Sequence, residues 1–224
     1  MPPSLALRVK ERDAVWTAYA IDPLAAPLVA RVRARRFVTP NRLTVASALV
    51  AVAAAVAFAV GPLLVGAVLF QLSFLLDCMD GKLAAARGER NPNGALFDVI
   101  SDCIRLAACA AGLAVGLRDE ADVAAVLVTA YVGIRFAVLT VAEARPGVAP
   151  RGTMTLPATA GAFLRAAPRR SGLPGTTVDT EAVAFTLGPA LGLPAAGLAI
   201  AAAADLLHLL VYVFAAVRSA IARS

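Results

Sequence analysis

The sequence has little charge for its length. Only 16% of its 224 residues are Asp, Glu, Lys or Arg, whereas 60% are hydrophobic. A soluble domain of this size is about half apolar and about a quarter charged, so the composition argues against an ordinary soluble fold. No aromatic-rich nucleic-acid motif accompanies the basic residues. The net charge of +6 therefore indicates the flanks of a membrane protein, and no nucleic-acid partner is expected.

Cysteine is also scarce. The three cysteines form no CxxC pair, and all lie in or beside apolar segments: Cys78, Cys103 and Cys109. We interpret them as small buried residues and expect neither disulfides nor a cysteine metal site. A signal peptide is not expected, because charged residues from Arg8 to Asp13 arrive before an apolar core can form.

Long apolar segments are what the chain does contain. A membrane-spanning helix needs about 20 mostly apolar residues. Six segments meet or approach this length: 42–60, 63–84, 94–117, 122–143, 180–192 and 194–218. The fifth is short and contains Gly188-Pro189, and the Gly-Leu-Pro at 192–194 predicts a tight turn before the sixth. The sequence therefore predicts an all-α, polytopic membrane protein with six transmembrane helices.

The N-terminal stretch has a different character. Trp16 and Tyr19 precede a basic run at 31–36, a pattern typical of an amphipathic helix at the membrane interface; a disordered basic arm is the alternative. We therefore expect an interfacial helical segment over 1–40, followed by a six-helix transmembrane domain over 41–224.

Basic residues are unevenly distributed between the predicted loops. With the N-terminus inside, the outer pieces hold only Arg118, and most other Lys and Arg lie inside, as the positive-inside rule requires. The inner pieces are 1–41, 85–93, 144–179 and 219–224. The piece 144–179 is rich in Pro, Gly, Thr and Arg and is predicted to be a long loop. Both termini are expected on the cytoplasmic side of a bacterial membrane.

Four carboxylates lie at the cytoplasmic ends of the second and third segments. Asp77 and Asp80 are three residues apart and Asp98 and Asp102 four apart, so each pair shares a helix face. Because the connecting loop is short, we expect the two helices to be antiparallel neighbours whose carboxylates meet. Mg²⁺ or Mn²⁺ for phosphate chemistry, a proton or sodium site in a transporter, and pairing with buried arginines all fit this spacing.

The spacing of these residues resembles the signature of the CDP-alcohol phosphatidyltransferases. The family pattern D-x2-D-G-x2-A-R-x8-G-x3-D-x3-D is matched, except at its arginine, by Asp77-x2-Asp80-Gly81-x2-Ala84-x9-Gly94-x3-Asp98-x3-Asp102. The resemblance implies that a CDP-linked lipid donates a phosphatidyl-type group to an alcohol and releases CMP, with two Mg²⁺ or Mn²⁺ ions on the diphosphate. It also implies that Asp77, Asp80 and Asp98 are metal ligands, and that Asp102 completes the metal site and acts as general base.

The same resemblance assigns a nucleotide and diphosphate site. Thr39-Pro40-Asn41-Arg42-Leu43-Thr44 is similar to the family's TPNxxT segment. The residues expected at the nucleotide and diphosphate are Asn41, Thr44, Gly81, Lys82, Ala84, Arg87 and Gly94. The two glycines leave room for close approach, either of a ligand or of a neighbouring helix.

The motif arginine is absent, because position 85 is alanine. Arg87 or Lys82 is expected to replace it. Two positions rotate a helix by about 200°, so Arg87 can serve only if the helix unwinds before Pro92. Lys82 shares the face of position 85 but lies at a different depth.

Four further polar residues interrupt the apolar segments. Arg105 and Arg135 are expected either to bind an anionic acceptor or lipid phosphate, or to balance the aspartates. Asp205 and His208, three residues apart, are interpreted as a structural hydrogen-bonded pair, compatible with a subunit contact in a homodimer; a catalytic pair is the alternative. Five loop arginines are expected to attract anionic membrane lipids or collect a phosphorylated acceptor such as an inositol or glycerol phosphate: Arg145, Arg151, Arg165, Arg169 and Arg170.

The sequence thus predicts a membrane enzyme of phospholipid synthesis. A diverged member with weak activity or a structural role, suggested by the missing arginine, is one rival interpretation. An ion-coupled transporter that uses the same carboxylates is another. The sequence names neither the acceptor nor the CDP-linked donor.

Overall fold

The computed structural model describes residues 6–89, 92–118, 121–143, 152–172 and 176–221. Within these ranges the chain is mostly helical, with one two-stranded sheet. The helices are α1 (Asp22–Val32), α2 (Pro40–Val60), α3 (Leu63–Arg87), α4 (Pro92–Gly116), α5 (Ala121–Glu143), α6 (Ala160–Arg170), α7 (Thr177–Ala182), α8 (Gly188–Ala190) and α9 (Pro194–Ile221). Short π-helical turns precede α1, at Thr17–Ile21, and join α7 to α8, at Val183–Leu187.

The observed helix bounds agree closely with the predicted apolar segments. α2 begins after Thr39, whose hydroxyl accepts a hydrogen bond from Arg42 N at 3.3 Å, and Pro40 takes the first helical position. It ends at Gly61, which adopts a φ of 110° that glycine tolerates. The last two predicted segments are helical and turn at Gly192, as expected for a hairpin.

Four described helices are long and apolar enough to cross a membrane: α2, α3, Leu96–Gly116 of α4 and Pro194–Ala215 of α9. The described apolar part of α5, Val123–Val138, is shorter. The segment 177–190 is divided between α7, a π-helical turn and α8. These apolar helices fit an integral membrane protein. Four of the six predicted spans are therefore supported, and the other two stay predictions.

α2 lies between α3 and α4 and packs along both, whereas α3 and α4 contact each other far less. The expectation that α3 and α4 are direct neighbours is therefore wrong over most of their length. Small residues explain the difference. Ala51 and Ala54 of α2 are buried, and a Cβ at Gly112 of α4 would overlap the carbonyl oxygen of Ala55. α4 therefore packs directly on the backbone of α2.

A buried aromatic cluster joins α2, α3, α5 and the second π-helical turn. Phe185 of that turn contacts the rings of Phe58, Phe70 and Tyr131 at centroid separations of 6.5, 5.0 and 5.6 Å. Such ring contacts add to the hydrophobic burial. They anchor the segment that follows α7 inside the helix bundle.

A second hydrophobic cluster lies in a smaller unit, the cap, which consists of β1 (Ala6–Lys10), α1, β2 (Thr153–Pro157) and α6. β1 pairs antiparallel with β2. Leu7, Val29 and Phe163 of the cap pack with Leu83 of α3. The cap therefore rests on the end of α3 that carries the motif aspartates.

The structure of the cap differs from two of the sequence predictions. The cap also combines elements from both predicted parts of the chain, 1–40 and 41–224. The segment predicted as one interfacial helix contains a strand, a π-helical turn and α1, and the predicted loop 144–179 contains β2 and α6. The all-α expectation thus omits a small sheet. Exposed and buried residues alternate along β1, which is a local signal for a strand. Its partner strand is remote: Arg8 donates a hydrogen bond to Thr153 of β2, which lies 145 positions later in the sequence. Local pattern cannot predict so distant a pairing.

Candidate active site

Three carboxylates meet where α3 and α4 approach each other. Oxygens of Asp77, Asp80 and Asp98 lie within 4.8 Å of one another. Asp77 and Asp80 share a face of α3, as their spacing predicts, and Asp98 comes from the second turn of α4. Asp80 is buried and accepts a hydrogen bond from Thr44 Oγ1 at 2.5 Å. That bond holds the Asp80 side chain against α2.

Asp102, the fourth carboxylate, lies outside this group of three. Its Oδ1 pairs with Arg105 Nη2 at 2.6 Å, and Arg105 Nη1 lies 3.4 Å from Asp77 Oδ2. The Asp102 side chain is 43% exposed, whereas that of Arg105 is 3% exposed. The structure thus places Asp102 beside the aspartate group, accessible and linked to it through one guanidinium.

An open cavity of about 580 Å³ adjoins these carboxylates. It is lined by Thr39, Pro40, Asn41, Thr44, Asp80, Gly81, Ala84, Glu89, Gly94 and Asp98. Every residue predicted at the nucleotide lines it except Lys82 and Arg87. The sequence did not single out Thr39, Pro40 and Glu89, although the first two belong to the quoted TPNxxT segment. None of the described lining residues is Lys or Arg.

The chemistry of the site fits a divalent metal ion. Carboxylate oxygens are ligands that Mg²⁺ and Mn²⁺ prefer, and Asp77, Asp80 and Asp98 would hold such an ion. Asp77 Oδ1 is buried and accepts no hydrogen bond from the described residues, so its lone pairs are open to a ligand. A Cβ added at Gly81 would meet no atom within 4 Å, so the space beside Asp80 is also open.

A family model described as CDP-alcohol phosphatidyltransferase matches residues 37–217. The chain belongs to the CDP-alcohol phosphatidyltransferase family. Members of this family are transferases of phospholipid biosynthesis that depend on divalent metal. Family membership therefore favours an enzyme over a transporter.

Individual relatives agree with this assignment. The bifunctional IPC transferase and DIPP synthase of Rubrobacter xylanophilus is 32% identical over 160 residues, which are 71% of this chain and 33% of that protein. The chain thus spans about a third of that relative's length.

Solved structures of phosphatidylinositol phosphate synthase (PgsA1) from Mycobacterium tuberculosis share the fold. The apo form has a TM-score of 0.55 at 20% identity, over 84% of this chain and 93% of that one. The form with CDP-DAG bound has a TM-score of 0.53 at 19% identity, over 85% and 92% of the two chains. The complex with manganese and citrate has a TM-score of 0.54 at 18% identity, over 85% and 87%.

This member of the family lacks the family arginine at position 85, and the structure places Lys82 away from the cavity. Lys82 Nζ pairs with Asp22 Oδ1 of α1 at 2.6 Å. Asp22 Oδ2 pairs in turn with Arg170 Nη2 of α6, also at 2.6 Å. Lys82 therefore joins α3 to the cap, which does not support the expected phosphate contact.

Arg87 also has another role in the structure. α3 stays helical through Arg87 and ends at Gly88, so the unwinding that Arg87 would need does not occur. Its guanidinium donates at 2.7–3.2 Å to the backbone carbonyls of Val32, Arg33, Arg35 and Val38. Arg87 therefore caps the C-terminal end of α1, and the diphosphate role is not supported.

Arg105 and Arg135 are both buried among carboxylates. Arg135 contacts Glu181 and lies 3.5 Å from Asp205 Oδ2. Arg105 Nη2 lies 3.5 Å from Glu181 Oε2, so Glu181 joins the two arginines. This arrangement favours charge balance over acceptor binding. Sequence reasoning missed Glu181; the available signal was a carboxylate in an apolar segment, but its partners are distant in sequence.

Asp205 and His208 are close but not hydrogen-bonded. His208 Nδ1 lies 3.9 Å from Asp205 Oδ1. Asp205 is fully buried and accepts a hydrogen bond from Thr180 Oγ1 at 2.9 Å. Asp205 therefore joins α9 to α7, and the predicted hydrogen bond between Asp205 and His208 is not formed.

One arginine of the predicted basic loop is buried in an ion pair and is not available to attract lipids or an acceptor. Arg170 is buried and paired with Asp22. Arg165 and Arg169 are exposed on α6. The other two members of the predicted set, at 145 and 151, lie outside the described residues.

Proposed function

We propose that the chain transfers a phosphatidyl-type group from a CDP-linked lipid, such as CDP-diacylglycerol, to an alcohol acceptor. The acceptor oxygen forms a bond to the lipid-bearing phosphorus, and the bond from that phosphorus to the CMP oxygen breaks. One observation carries the proposal: Asp77, Asp80 and Asp98 converge beside a cavity lined by other motif residues. Phosphate transfer needs charge neutralisation and positioning more than covalent catalysis.

The residues of the site have separate tasks in this proposal. Asp77, Asp80 and Asp98 hold Mg²⁺ or Mn²⁺, two ions in our proposal, and the bound metal supplies positive charge to the donor diphosphate. Asp102, exposed beside this group, takes the proton of the acceptor hydroxyl as general base. Asn41 lines the cavity and orients the nucleotide through its side-chain amide.

For the acceptor we propose a polyol phosphate, with inositol phosphate and glycerol phosphate as the first compounds to test. The exposed arginines of α6, Arg165 and Arg169, can attract such an anion from solution. The solved structures that share the fold belong to a phosphatidylinositol phosphate synthase.

We also propose that α5 and the segment 177–190 cross the membrane with the four long apolar helices. The site and both termini then face the cytoplasm of a bacterial cell. The distribution of Lys and Arg supports this orientation, because Arg118 is the only basic residue in the predicted outer pieces.

The test is CMP release by the purified protein in lipid nanodiscs with CDP-diacylglycerol, Mn²⁺ or Mg²⁺, and each acceptor in turn. We expect release that a chelator abolishes. Changing Asp77, Asp80 or Asp98 to Asn should lower it more than a hundredfold, because changes to outer-shell groups alone cost about 10–100-fold. Asp102→Asn should keep metal-dependent donor binding while transfer falls by about 10²–10⁴-fold.

Glu11→Gln is the control variant, since it removes an exposed carboxylate of the loop that follows β1. It should leave CMP release unchanged. Release that persists without divalent metal, or that survives all the aspartate changes, would contradict the proposal. Substrate flux into sealed vesicles without CMP release would support a transporter instead.

A further inference from the structure

Glu181 lies at the centre of a buried network of charges behind the aspartate site. It belongs to α7, whose first turn is closed by a reciprocal capping box between Thr176 and Asp179. Glu181 is 6% exposed. Its Oε1 contacts Arg135, and its Oε2 lies 3.5 Å from Arg105 Nη2. Glu181 of α7 thus lies between two arginines, Arg135 of α5 and Arg105 of α4.

Arg105 connects this network to the aspartate site. The same Nη2 that faces Glu181 pairs with Asp102 Oδ1 at 2.6 Å, and Nη1 lies 3.4 Å from Asp77 Oδ2. Two aromatic rings of α3 flank the guanidinium, with centroids 5.9 and 5.2 Å from its central carbon, so packing restricts its movement. One positive charge is therefore shared among three carboxylates, two of which belong to the family motif.

We propose that Glu181 is a positioning residue for the aspartate site. Its charge balances Arg105 and separates that guanidinium from the guanidinium of Arg135. Without this charge nothing offsets the repulsion between the two buried guanidinium groups, and Arg105 would be attracted more strongly to Asp77 and Asp102. Both effects oppose cation binding at Asp77 and weaken Asp102 as a proton acceptor. The inference rests on the proposed function, which assigns Asp77 to the metal and Asp102 to the base.

Asp205 provides a matched control. It is fully buried and lies 3.5 Å from Arg135 Nη1, and no described contact joins it to Arg105. Glu181→Gln and Asp205→Asn each remove one buried charge from the same network, so both should destabilise the fold. Only the first should disturb the aspartate site. Glu181→Asp, which restores the charge on a shorter side chain, is the rescue variant.

The experiment uses the full chain in nanodiscs and Mn²⁺ as the probe. Calorimetry without nucleotide gives the Mn²⁺ Kd, and CMP release at saturating Mn²⁺ gives kcat and the KM for CDP-diacylglycerol. For Glu181→Gln we expect the Mn²⁺ Kd to rise about ten- to a hundredfold and kcat to fall, with little change in KM. Glu181→Asp should recover part of both losses, and Asp205→Asn should bind Mn²⁺ like the wild type.

Three outcomes separate the possibilities. Equal Mn²⁺ affinities for Glu181→Gln and Asp205→Asn, with an equal loss of Tm, would overturn the inference and leave Glu181 a structural role only. A wild-type chain that binds Mn²⁺ but releases no CMP would contradict the proposed function, and the Mn²⁺ comparison would still decide the role of Glu181. A wild-type chain that binds no Mn²⁺ would overturn both.

Discussion

Arg87 donates five hydrogen bonds to the chain segment that ends α1 and leads into α2. The last carbonyls of a helix have no partners within the helix. A cation at that end satisfies them and interacts favourably with the helix dipole. The side chain of Arg87 therefore ties α3 to α1, and its charge is committed to backbone oxygens.

Arg87→Ala should accordingly lower stability more than donor affinity. Hydrogen bonds from a charged donor contribute about 1.5–3 kcal/mol, and the change leaves several carbonyls between 32 and 38 without this donor. Thermal unfolding and calorimetry with CDP-diacylglycerol would measure the two effects. Arg12→Ala, at an exposed position after β1, is the control and should change neither. An unchanged Tm with much weaker donor binding would instead favour a phosphate contact.

At the scale of elements, α2 sets the distance between the two halves of the aspartate site. α3 carries Asp77 and Asp80, α4 carries Asp98, and α2 packs on both. Gly112 lets α4 reach the backbone of α2 at Ala55. The position of one glycine thus bears on the geometry of carboxylates several turns away.

Gly112→Ala should therefore weaken both the fold and the site. The added methyl group would overlap the carbonyl oxygen of Ala55, and overpacking of this kind costs about 1–3 kcal/mol. Gly133→Ala in α5 is the control, because a Cβ there meets no atom within 4 Å. We expect lower Tm and lower CMP release for the first variant only. If both variants behave like the wild type, the contact between α2 and α4 is looser than the structure indicates.

The elements also show what the sequence can predict. The start of α2 at Thr39-Pro40 and its end at Gly61 are local signals, so the helix bounds follow from the sequence. Which helices become neighbours does not follow from the sequence, because the apolar faces of the helices are alike. Close contacts depend instead on single small residues such as Gly112. The pairing of β1 with β2 likewise depends on residues far apart in the chain.

In the candidate site too, features set by local spacing can be predicted from the sequence, whereas contacts between remote segments cannot. Asp77, Asp80 and Asp98 converge because their spacing within two helices places them on facing surfaces, and that spacing is visible in the sequence. The sequence does not show which partners the lysine and arginine side chains of this region bind. Lys82 pairs with Asp22, and Arg105 lies near Asp77 and Glu181, all of them remote in sequence. Only the pair of Arg105 with Asp102, three residues away, is a local pattern.

Asp22 links three distant parts of the molecule at one buried point. It belongs to α1 and pairs with Lys82 of α3 and Arg170 of α6, each at 2.6 Å. Its side chain is 1% exposed. One carboxylate therefore balances two cations where the cap rests on α3, beside the helix turn that carries Asp80.

Asp22→Asn should loosen the cap from the helix bundle. The change leaves Lys82 and Arg170 without their shared carboxylate, and breaking a buried ion pair costs about 3–5 kcal/mol. We expect a lower Tm and faster hydrogen exchange in β1 and α6, while exchange in α2 stays slow. Asp13→Asn is the matched control, because Asp13 lies 3.6 Å from Arg170 with its side chain 18% exposed. It should have a smaller effect, since its pair with Arg170 is longer, at 3.6 Å, and Arg170 keeps Asp22 as its partner at 2.6 Å. Equal exchange in the two variants would show that the hydrophobic cluster around Leu83 alone holds the cap on α3.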